Sequence, residues 1–344
     1  MNELVDLKTV KCSRLFRVLS SKWVKVSIAV VVVALLVYFN RVDATVLVGL
    51  ARTWPWLLAA FMLMLPPFVV VSYRFKVILR SQGILVPFRQ AIRWTMIGSF
   101  FDLAMPSSSG GDLVKAGFVV RYVGAGQRTR AVMAVAFDRV LGLLGLFLLA
   151  SVASVVGWDM LRDMPARNMV VGLTFAASLG ALLFLRVAGS RRLFNNPVID
   201  RVLLQHAWGL RVKQFIASFN SFRESPGYLF TALGLSVVNH VFWCASLLCI
   251  VRVVENVVDP IKGFVVFPLA IFSNVFGIAG GFGGGTVGFD LLLSQLLAIG
   301  NGALIGLLFQ TLSALARLAG LPFYLLTPPD DSVITSLDSR NGGD

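Results

Sequence analysis

The sequence predicts an all-α polytopic membrane protein with about six full transmembrane helices and two broken, glycine-rich segments. Three observations predict this class. Hydrophobic residues make up 57% of the 344 residues and charged residues 14%, whereas soluble domains carry about 25% charged residues. The charges lie in short segments between apolar runs. Two of the eight apolar segments are interrupted by glycine-rich sequence, which is tolerated at membrane depth only beside protein or a water-filled cavity.

The formal net charge of +14 comes from these short charged segments. Lys and Arg concentrated there are typical of cytoplasmic loops, and without any nucleic-acid-binding motif we expect no nucleic-acid partner. The three cysteines, Cys12, Cys244 and Cys249, have neither the number nor the spacing of a disulfide framework or a metal site. We therefore expect no metal ion and no cofactor.

The first part of the chain alternates basic and apolar stretches. Residues 1–22 form a basic N-terminus, which the positive-inside rule places in the cytoplasm. Val24–Phe39 and Trp54–Val71 are the first two spans, and Pro66 followed by Pro67 predicts a kink in the second because neither residue can donate a helical hydrogen bond. A basic loop without any acidic residue follows, containing Arg74, Lys76, Arg80, Arg89 and Arg93.

The next apolar segment, Trp94–Val120, is broken in its middle. Basic residues flank both ends, so both ends are expected on the cytoplasmic side. Trp94–Met105 would give only about 18 Å of helix, against a hydrocarbon core of about 30 Å. We interpret the segment as a re-entrant hairpin, and one long kinked span is the alternative.

The break itself carries the first group of candidate site residues. Its glycines can take backbone angles closed to other residues, its serines offer hydroxyl groups, and a helix restarting at Asp112 would direct N–H groups toward the break, where an anion could bind. The alternative is that Asp112 simply caps that helix. The candidates here are Pro106, Ser107, Ser108, Ser109, Gly110, Gly111, Asp112 and Lys115.

Charged residues also lie inside later spans. Asp138 and Arg139 lie in the span Ala131–Val156, and Arg317 lies in the last span, Ala303–Leu326. An arginine within hydrocarbon costs at least about 2.5–3.5 kcal/mol, so each should face the protein interior. A purely structural ion pair is the alternative. The remaining full spans are Asn168–Leu185 and Tyr228–Val251.

The second broken segment runs from Gly263 to Ile299. Its centre, GGFGGGTVGFD at Gly280–Asp290, has six glycines in eleven residues. Tight helix packing through small residues is the alternative, but this density favours an unwound segment. The candidate site residues here are Gly280, Gly281, Gly283, Gly284, Gly285 and Asp290.

The order of segments occurs twice, which predicts an inverted repeat. We expect one integral membrane domain over 1–344, with a first half at 23–156, a second half at 168–327 and a polar tail at 328–344. The first half starts inside and the second outside, as in many transporters that build a midplane site from discontinuous helices. Both termini are expected in the cytoplasm and the protein in the cell (inner) membrane.

Several motifs in this order resemble one family. They are Arg74 and Gly83 in a basic loop, P-x-x-x-G-G-D at the first break, an Asp-Arg pair followed by LGLLGLFLLA, the late GGFGGG and Arg317. Together they resemble the transmembrane domain of lysylphosphatidylglycerol synthases and related flippase-like proteins. The resemblance covers nearly the whole chain, and we expect a stand-alone member without the aminoacyl-transfer domain.

The resemblance implies movement of lipids between leaflets. It indicates a lipid flippase that moves an anionic phospholipid or a lipid-linked sugar intermediate and performs no covalent chemistry, so no residue is assigned as catalytic. The residues named at the two breaks and in the spans would bind this substrate. An intramembrane lipid-modifying enzyme and a non-transporting assembly factor are the alternatives. Protein partners to test are a second copy of the chain and a lipid-synthesising enzyme.

The predicted topology can be tested with single cysteines in a chain from which the native cysteines have been removed. An impermeant thiol reagent should label Ser108→Cys from the cytoplasmic side and Gly284→Cys from outside, because the two breaks face opposite sides in an inverted repeat. Labelling of Ser108→Cys from outside alone would contradict the repeat.

Overall fold

A computed structural model describes residues 53–103, 110–188, 226–254, 258–276 and 281–326. Every regular element in these ranges is helical. The helices are α1 (Trp54–Leu63), α2 (Pro66–Ser81), α3 (Phe88–Phe101), α4 (Gly110–Tyr122), α5 (Arg128–Val156), α6 (Arg167–Ala188), α7 (Pro226–Val254), α8 (Pro260–Ser273), α9 (Gly284–Leu297), α10 (Gly302–Leu318) and α11 (Gly320–Leu325), with short 3₁₀ turns at Ala125–Gln127 and Asn274–Phe276.

Within the described ranges, four helical stretches are long and apolar enough to cross a membrane. They are Trp54–Ser81, Arg128–Val156, Pro226–Val254 and Gly302–Leu325, and shorter apolar helices cover Arg167–Leu183 and Pro260–Phe276. The chain is therefore a membrane protein, and the part that the structure describes is built from helices. The predicted first span, Val24–Phe39, lies outside the described residues, and the full number of spans stays a prediction.

The predicted kink is present, but the basic loop after it begins later than expected. α1 ends at Leu63 and α2 begins at Pro66, where a proline costs no helical hydrogen bond. α2 then continues to Ser81, so Arg74 lies inside a helix and is only 5% exposed. The assignment of Arg74 to a loop was wrong because an opposite charge on another helix compensates its burial.

The first broken segment forms a hairpin of two short helices, as predicted, and not one kinked span. α3 has 14 residues and α4 has 13, so each extends only about 20 Å. The rings of Trp94, in the middle of α3, and Tyr122, at the end of α4, lie 5.4 Å apart. The second helix therefore turns back and packs along the first. Residues 104–109, which connect the two helices in sequence, lie outside the described residues.

Two glycines allow the hairpin to close. A Cβ atom at Gly98 would lie 2.9 Å from the carbonyl oxygen of Gly111, and a Cβ at Gly111 would collide with the carbonyl oxygen of Gly98. The two backbones thus touch where α3 and α4 cross. Gly111 is required by this close approach.

The two predicted halves pack against each other through several pairs of helices. α5 contacts α8, the first short helix of the second half, and α10 contacts α3, the first short helix of the first half. The kinked helix α1–α2 packs along α7, its counterpart in order. Phe282, beside the second break, joins an apolar cluster with Ile97 and Phe100 of α3. The two broken segments therefore meet, while the direction of each half across a membrane stays a prediction.

Gly111→Ala should destabilise the protein by about 1–3 kcal/mol because the added methyl group overpacks the crossing of α3 and α4. Gly124→Ala is the matched control, since a Cβ atom at Gly124 has no neighbour within 4 Å. Thermal unfolding in detergent measures both. Equal midpoints for the two variants would contradict the crossing.

Candidate functional site

One cavity of about 270 Å³ lies where the broken segments meet the long helices. Faces of α2, α3, α4, α5, α7, α8 and α10 line it, together with the 3₁₀ turn after α8. Its charged lining residues are Arg74, Asp102, Asp112, Lys115, Asp138, Arg139 and Arg317. Seven charged side chains on a cavity among apolar helices mark it as the candidate site.

A buried triad of charges forms one wall of the cavity. Asp138 Oδ1 accepts a hydrogen bond from Arg74 Nε at 2.8 Å, and its Oδ2 accepts one from Lys115 Nζ at 2.9 Å. Arg74 Nη1 also donates to Ser236 Oγ at 2.9 Å. These bonds join α2, α4, α5 and α7. Lys115 Nζ further lies 4.6 Å from the centre of the Phe75 ring, where a cation–π interaction adds to its stabilisation.

The sequence places a glycine where the triad needs room. A Cβ atom at Gly142 would lie 3.3 Å from Arg74 Nη1, and one at Gly145 would collide with Ser236. The carbonyl oxygen of Gly142 lies 2.9 Å from His240 Nε2. The LGLLG motif therefore allows α5 to approach α7 around the Arg74 guanidinium group.

A more exposed ion pair lies at another edge of the cavity. Arg139 Nη1 lies 3.4 Å from Asp112 Oδ2, and the two side chains are 37% and 28% exposed. Asp138 and Arg139 thus have different partners, as expected for neighbours that point about 100° apart on a helix. Both side chains of the Asp112–Arg139 pair are therefore more exposed than the buried Asp138, which is 3% exposed.

Asp112 does not cap the second short helix. α4 begins at Gly110, which places Asp112 within its first turn, where the helix dipole favours a carboxylate. The N–H of Gly111 is instead bound by Asp102 Oδ1 at 2.7 Å, from the end of α3. One N–H that the sequence suggested for an anion is therefore already satisfied by the protein.

Arg317 approaches the cavity from α10. Its Nη1 atom is buried and has no hydrogen-bond partner among the described residues. Asp102 and Arg139 are the charged groups that act on it electrostatically. Arg139, Arg317 and Asp112 thus line one cavity, the placement predicted from the cost of an arginine that faces lipid.

The charges on the cavity leave a positive excess. It is lined by four cationic side chains and three carboxylates. Asp138 is satisfied by two of the cations. Arg139 pairs with Asp112, and Asp102 acts on Arg317.

The cavity is also amphiphilic. Along α10 its lining residues run from Phe309 through Ser313 to Arg317, and along α5 from Leu146 to Arg139. The apolar end is aromatic, with the rings of Trp243 and Phe309 5.6 Å apart. The cavity thus presents a charged end and an aromatic end to the same ligand.

The second broken segment is held against α10, beside the cavity, by hydrogen bonds to one side chain. Gln310 Nε2 donates to Asn274 Oδ1 and to the carbonyl oxygen of Gly281, both at 3.0 Å, and Gln310 Oε1 accepts from Thr286 Oγ1 at 2.8 Å. Gly281 has φ +113° and Gly283 φ +79°, a region that glycine adopts readily. The amide of Gln310 therefore satisfies backbone that the break leaves open.

These contacts correct the expected location of several residues. Asp290 Oδ1 accepts the N–H of Ala303 at 3.0 Å and so caps the start of α10. It is not among the described residues that line the cavity, and the expectation that it joins the interior charges was wrong. The described glycines of the second break likewise shape the backbone beside the cavity without lining it: Gly281, Gly283, Gly284 and Gly285.

The other predicted residues divide into two groups. Asp112, Lys115, Asp138, Arg139 and Arg317 line the cavity, while Gly110 and Gly111 are buried at the start of α4. The remaining candidates lie outside the described residues: Pro106, Ser107, Ser108, Ser109 and Gly280.

Sequence reasoning missed four polar residues of this region: Arg74, Asp102, Asn239 and Gln310. Each lies within or next to an apolar stretch of the sequence, and that position was the available signal. Arg74 was assigned to a loop, and a single Asp, Asn or Gln carries no motif. The partners of Arg74 and Gln310 in the contacts given above are 24 to 162 positions away along the chain, a separation that no local pattern reveals.

The fold and cavity define a membrane protein with two broken helical hairpins around an ionisable, amphiphilic cavity. A family model described as the lysylphosphatidylglycerol synthase TM region matches residues 22–320. The chain belongs to this family. No curated protein and no solved structure matches the chain.

Asp138→Asn should destabilise the protein by about 3–5 kcal/mol because it removes the counter-charge of the buried Arg74 and leaves Lys115 with only the more distant carboxylate of Asp112, 3.9 Å away. Asp159→Asn is the matched control, since it breaks the exposed Asp159–Arg162 pair, also 2.9 Å long, at a cost of less than about 1 kcal/mol. Thermal unfolding and folded yield in detergent compare the two. Similar losses in both variants would contradict the role of the triad.

Proposed function

We propose that this protein is a lipid flippase that moves an anionic phospholipid or a lipid-linked sugar intermediate between membrane leaflets. The observation that carries the proposal is the pair Arg139 and Arg317 on one cavity, with Arg317 Nη1 buried and unbonded among the described residues. Family membership supports a role related to lipids.

A phosphate group fits this arrangement. Arginine can bind two phosphate oxygens at once through parallel N–H donors, and a buried donor gains most when an anion satisfies it. The positive excess of the cavity disfavours a free cation. Asp112, paired with Arg139 at 3.4 Å, can release that guanidinium group when a phosphate binds.

The size of the cavity limits what enters it. A volume of about 270 Å³ is at the lower end of ligand pockets, so it holds a polar headgroup while the acyl or prenyl chains remain in lipid. The aromatic end, with Trp243 and Phe309, suits the glycerol–acyl boundary of such a molecule.

The proposal requires no covalent chemistry. Binding of the headgroup replaces its water shell with fixed charges, and its release on the other side completes transfer. A lipid gradient, an ion gradient or a partner would supply the direction. The protein would act in the cell (inner) membrane, with a lipid-synthesising enzyme or a second copy as its protein partner.

Arg317→Ala should slow transfer of a labelled anionic phospholipid in proteoliposomes by about tenfold or more, because a hydrogen bond to a charged group is lost. Arg317→Lys should retain part of the rate, since lysine keeps the charge without the bidentate geometry. A leaflet-resolved assay measures transfer, and thermal unfolding shows that the variants are folded.

Arg162→Ala is the matched control, because that arginine is 73% exposed and lies outside the cavity. Wild-type rates in both Arg317→Ala and Arg139→Ala would overturn the proposal. If mass spectrometry showed that the lipid is chemically modified and the lipid did not change leaflet, the result would support a lipid-modifying enzyme instead.

A further inference from the structure

A second set of polar atoms lines the cavity and takes no part in the charge network. Thr95 Oγ1, Asn239 Oδ1 and His240 Nδ1 are each buried without a hydrogen-bond partner among the described residues. Thr95 is 3% exposed and Asn239 5%. Unpaired buried polar atoms are costly, and three on one cavity indicate a ligand that satisfies them.

The chemistry of these atoms defines what they would bind. His240 Nε2 lies 2.9 Å from the carbonyl oxygen of Gly142. A carbonyl can only accept, so in the neutral ring Nε2 carries the hydrogen and Nδ1 presents a lone pair. Asn239 Oδ1 is also an acceptor, and the hydroxyl of Thr95 can act either way. The set therefore calls for a ligand rich in hydrogen-bond donors.

The unpaired atoms of Thr95, Asn239 and His240 lie close enough to the arginines for one ligand to contact both. Gly142, the partner of His240, follows Arg139 by three residues on α5, about 4.5 Å along the helix axis. Thr95 precedes Asp102 by seven residues on α3, about 10 Å along that axis. One headgroup can therefore reach both the arginines and the neutral acceptors.

The donors are best supplied by hydroxyl groups. A quaternary ammonium has no hydrogen to donate, and a primary ammonium would have to lose its water shell among neutral acceptors, which costs far more than burying a hydroxyl group. Hydroxyl groups are neutral donors and carry no such penalty.

We propose that Thr95, Asn239 and His240 form a hydroxyl-recognising subsite, so that the preferred substrate carries a polyol or sugar on its phosphate. This inference rests on the proposed function and specifies the substrate class of that site. It distinguishes headgroups of equal charge by their hydroxyl groups.

Two anionic phospholipids of equal charge test it in proteoliposomes of phosphatidylcholine. Phosphatidylglycerol carries two headgroup hydroxyls, and phosphatidylmethanol carries none. The wild-type protein should transfer phosphatidylglycerol about tenfold faster, and Asn239→Leu should reduce that ratio by about three- to tenfold, the effect of a lost neutral hydrogen bond. Thr95→Val, which removes only the hydroxyl, gives an independent second reading.

Ser246→Ala is the matched control. Its Oγ atom is likewise buried without a partner among the described residues, but it does not line the cavity, so the wild-type ratio should persist. Equal rates for the two lipids in the wild-type protein would overturn the subsite and leave the proposed function standing. An unchanged ratio in both Asn239→Leu and Thr95→Val would also overturn the subsite. Transfer of neither lipid would overturn both proposals.

Discussion

The carboxylate of Asp138 is the interaction on which the rest of the structure depends. It compensates Arg74 and Lys115, both about 5% exposed, and so joins the kinked second span, the return helix of the first hairpin and the long helix that follows. A buried ion pair adds little net stability over apolar packing, but the loss of one partner is strongly destabilising. The triad therefore fixes how these helices meet, which is the geometry that opens a cavity beside them.

Some polar groups around the cavity have hydrogen-bond partners within the protein and others do not. Asp138 is fully occupied by its two cations, and Asp102 satisfies the N–H of Gly111. Arg317 Nη1 and the polar atoms of Thr95, Asn239 and His240 named above are left without hydrogen-bond partners among the described residues. The charges of the triad are thus satisfied within the protein, whereas these four atoms beside the cavity are not. This division supports a site for a polar headgroup, since these buried atoms would otherwise remain desolvated without a hydrogen bond, which destabilises the folded protein.

Much of this architecture can be predicted from the sequence. Hydropathy and the distribution of Lys and Arg indicate the spans, and the two flanking basic loops indicate that Trp94–Val120 turns back on itself. The cost of an intramembrane arginine indicates that Arg139 and Arg317 face one interior. These inferences succeed because each rests on a local physical cost.

The partners of these charges cannot be predicted in the same way. Asp138 pairs with Arg74, 64 positions away, and Asp290 caps a neighbouring helix although it resembles an interior acid. An aspartate serves as a cap or as a counter-ion according to what lies opposite, which only the packing of the helices decides. Gln310 is likewise an ordinary polar residue in sequence and the main support of the second break in the structure.

The central claim is that headgroups pass through this cavity, and blocking it tests the claim most directly. In a chain without Cys12, Cys244 and Cys249, a bulky thiol reagent is attached to Leu143→Cys, on the cavity wall, or to Leu179→Cys, 58% exposed on the outer face of α6. Leaflet-resolved transfer of a labelled anionic phospholipid is then measured. The account predicts that modification at position 143 stops transfer and modification at position 179 does not. Transfer at the unmodified rate after complete labelling of position 143 would contradict it.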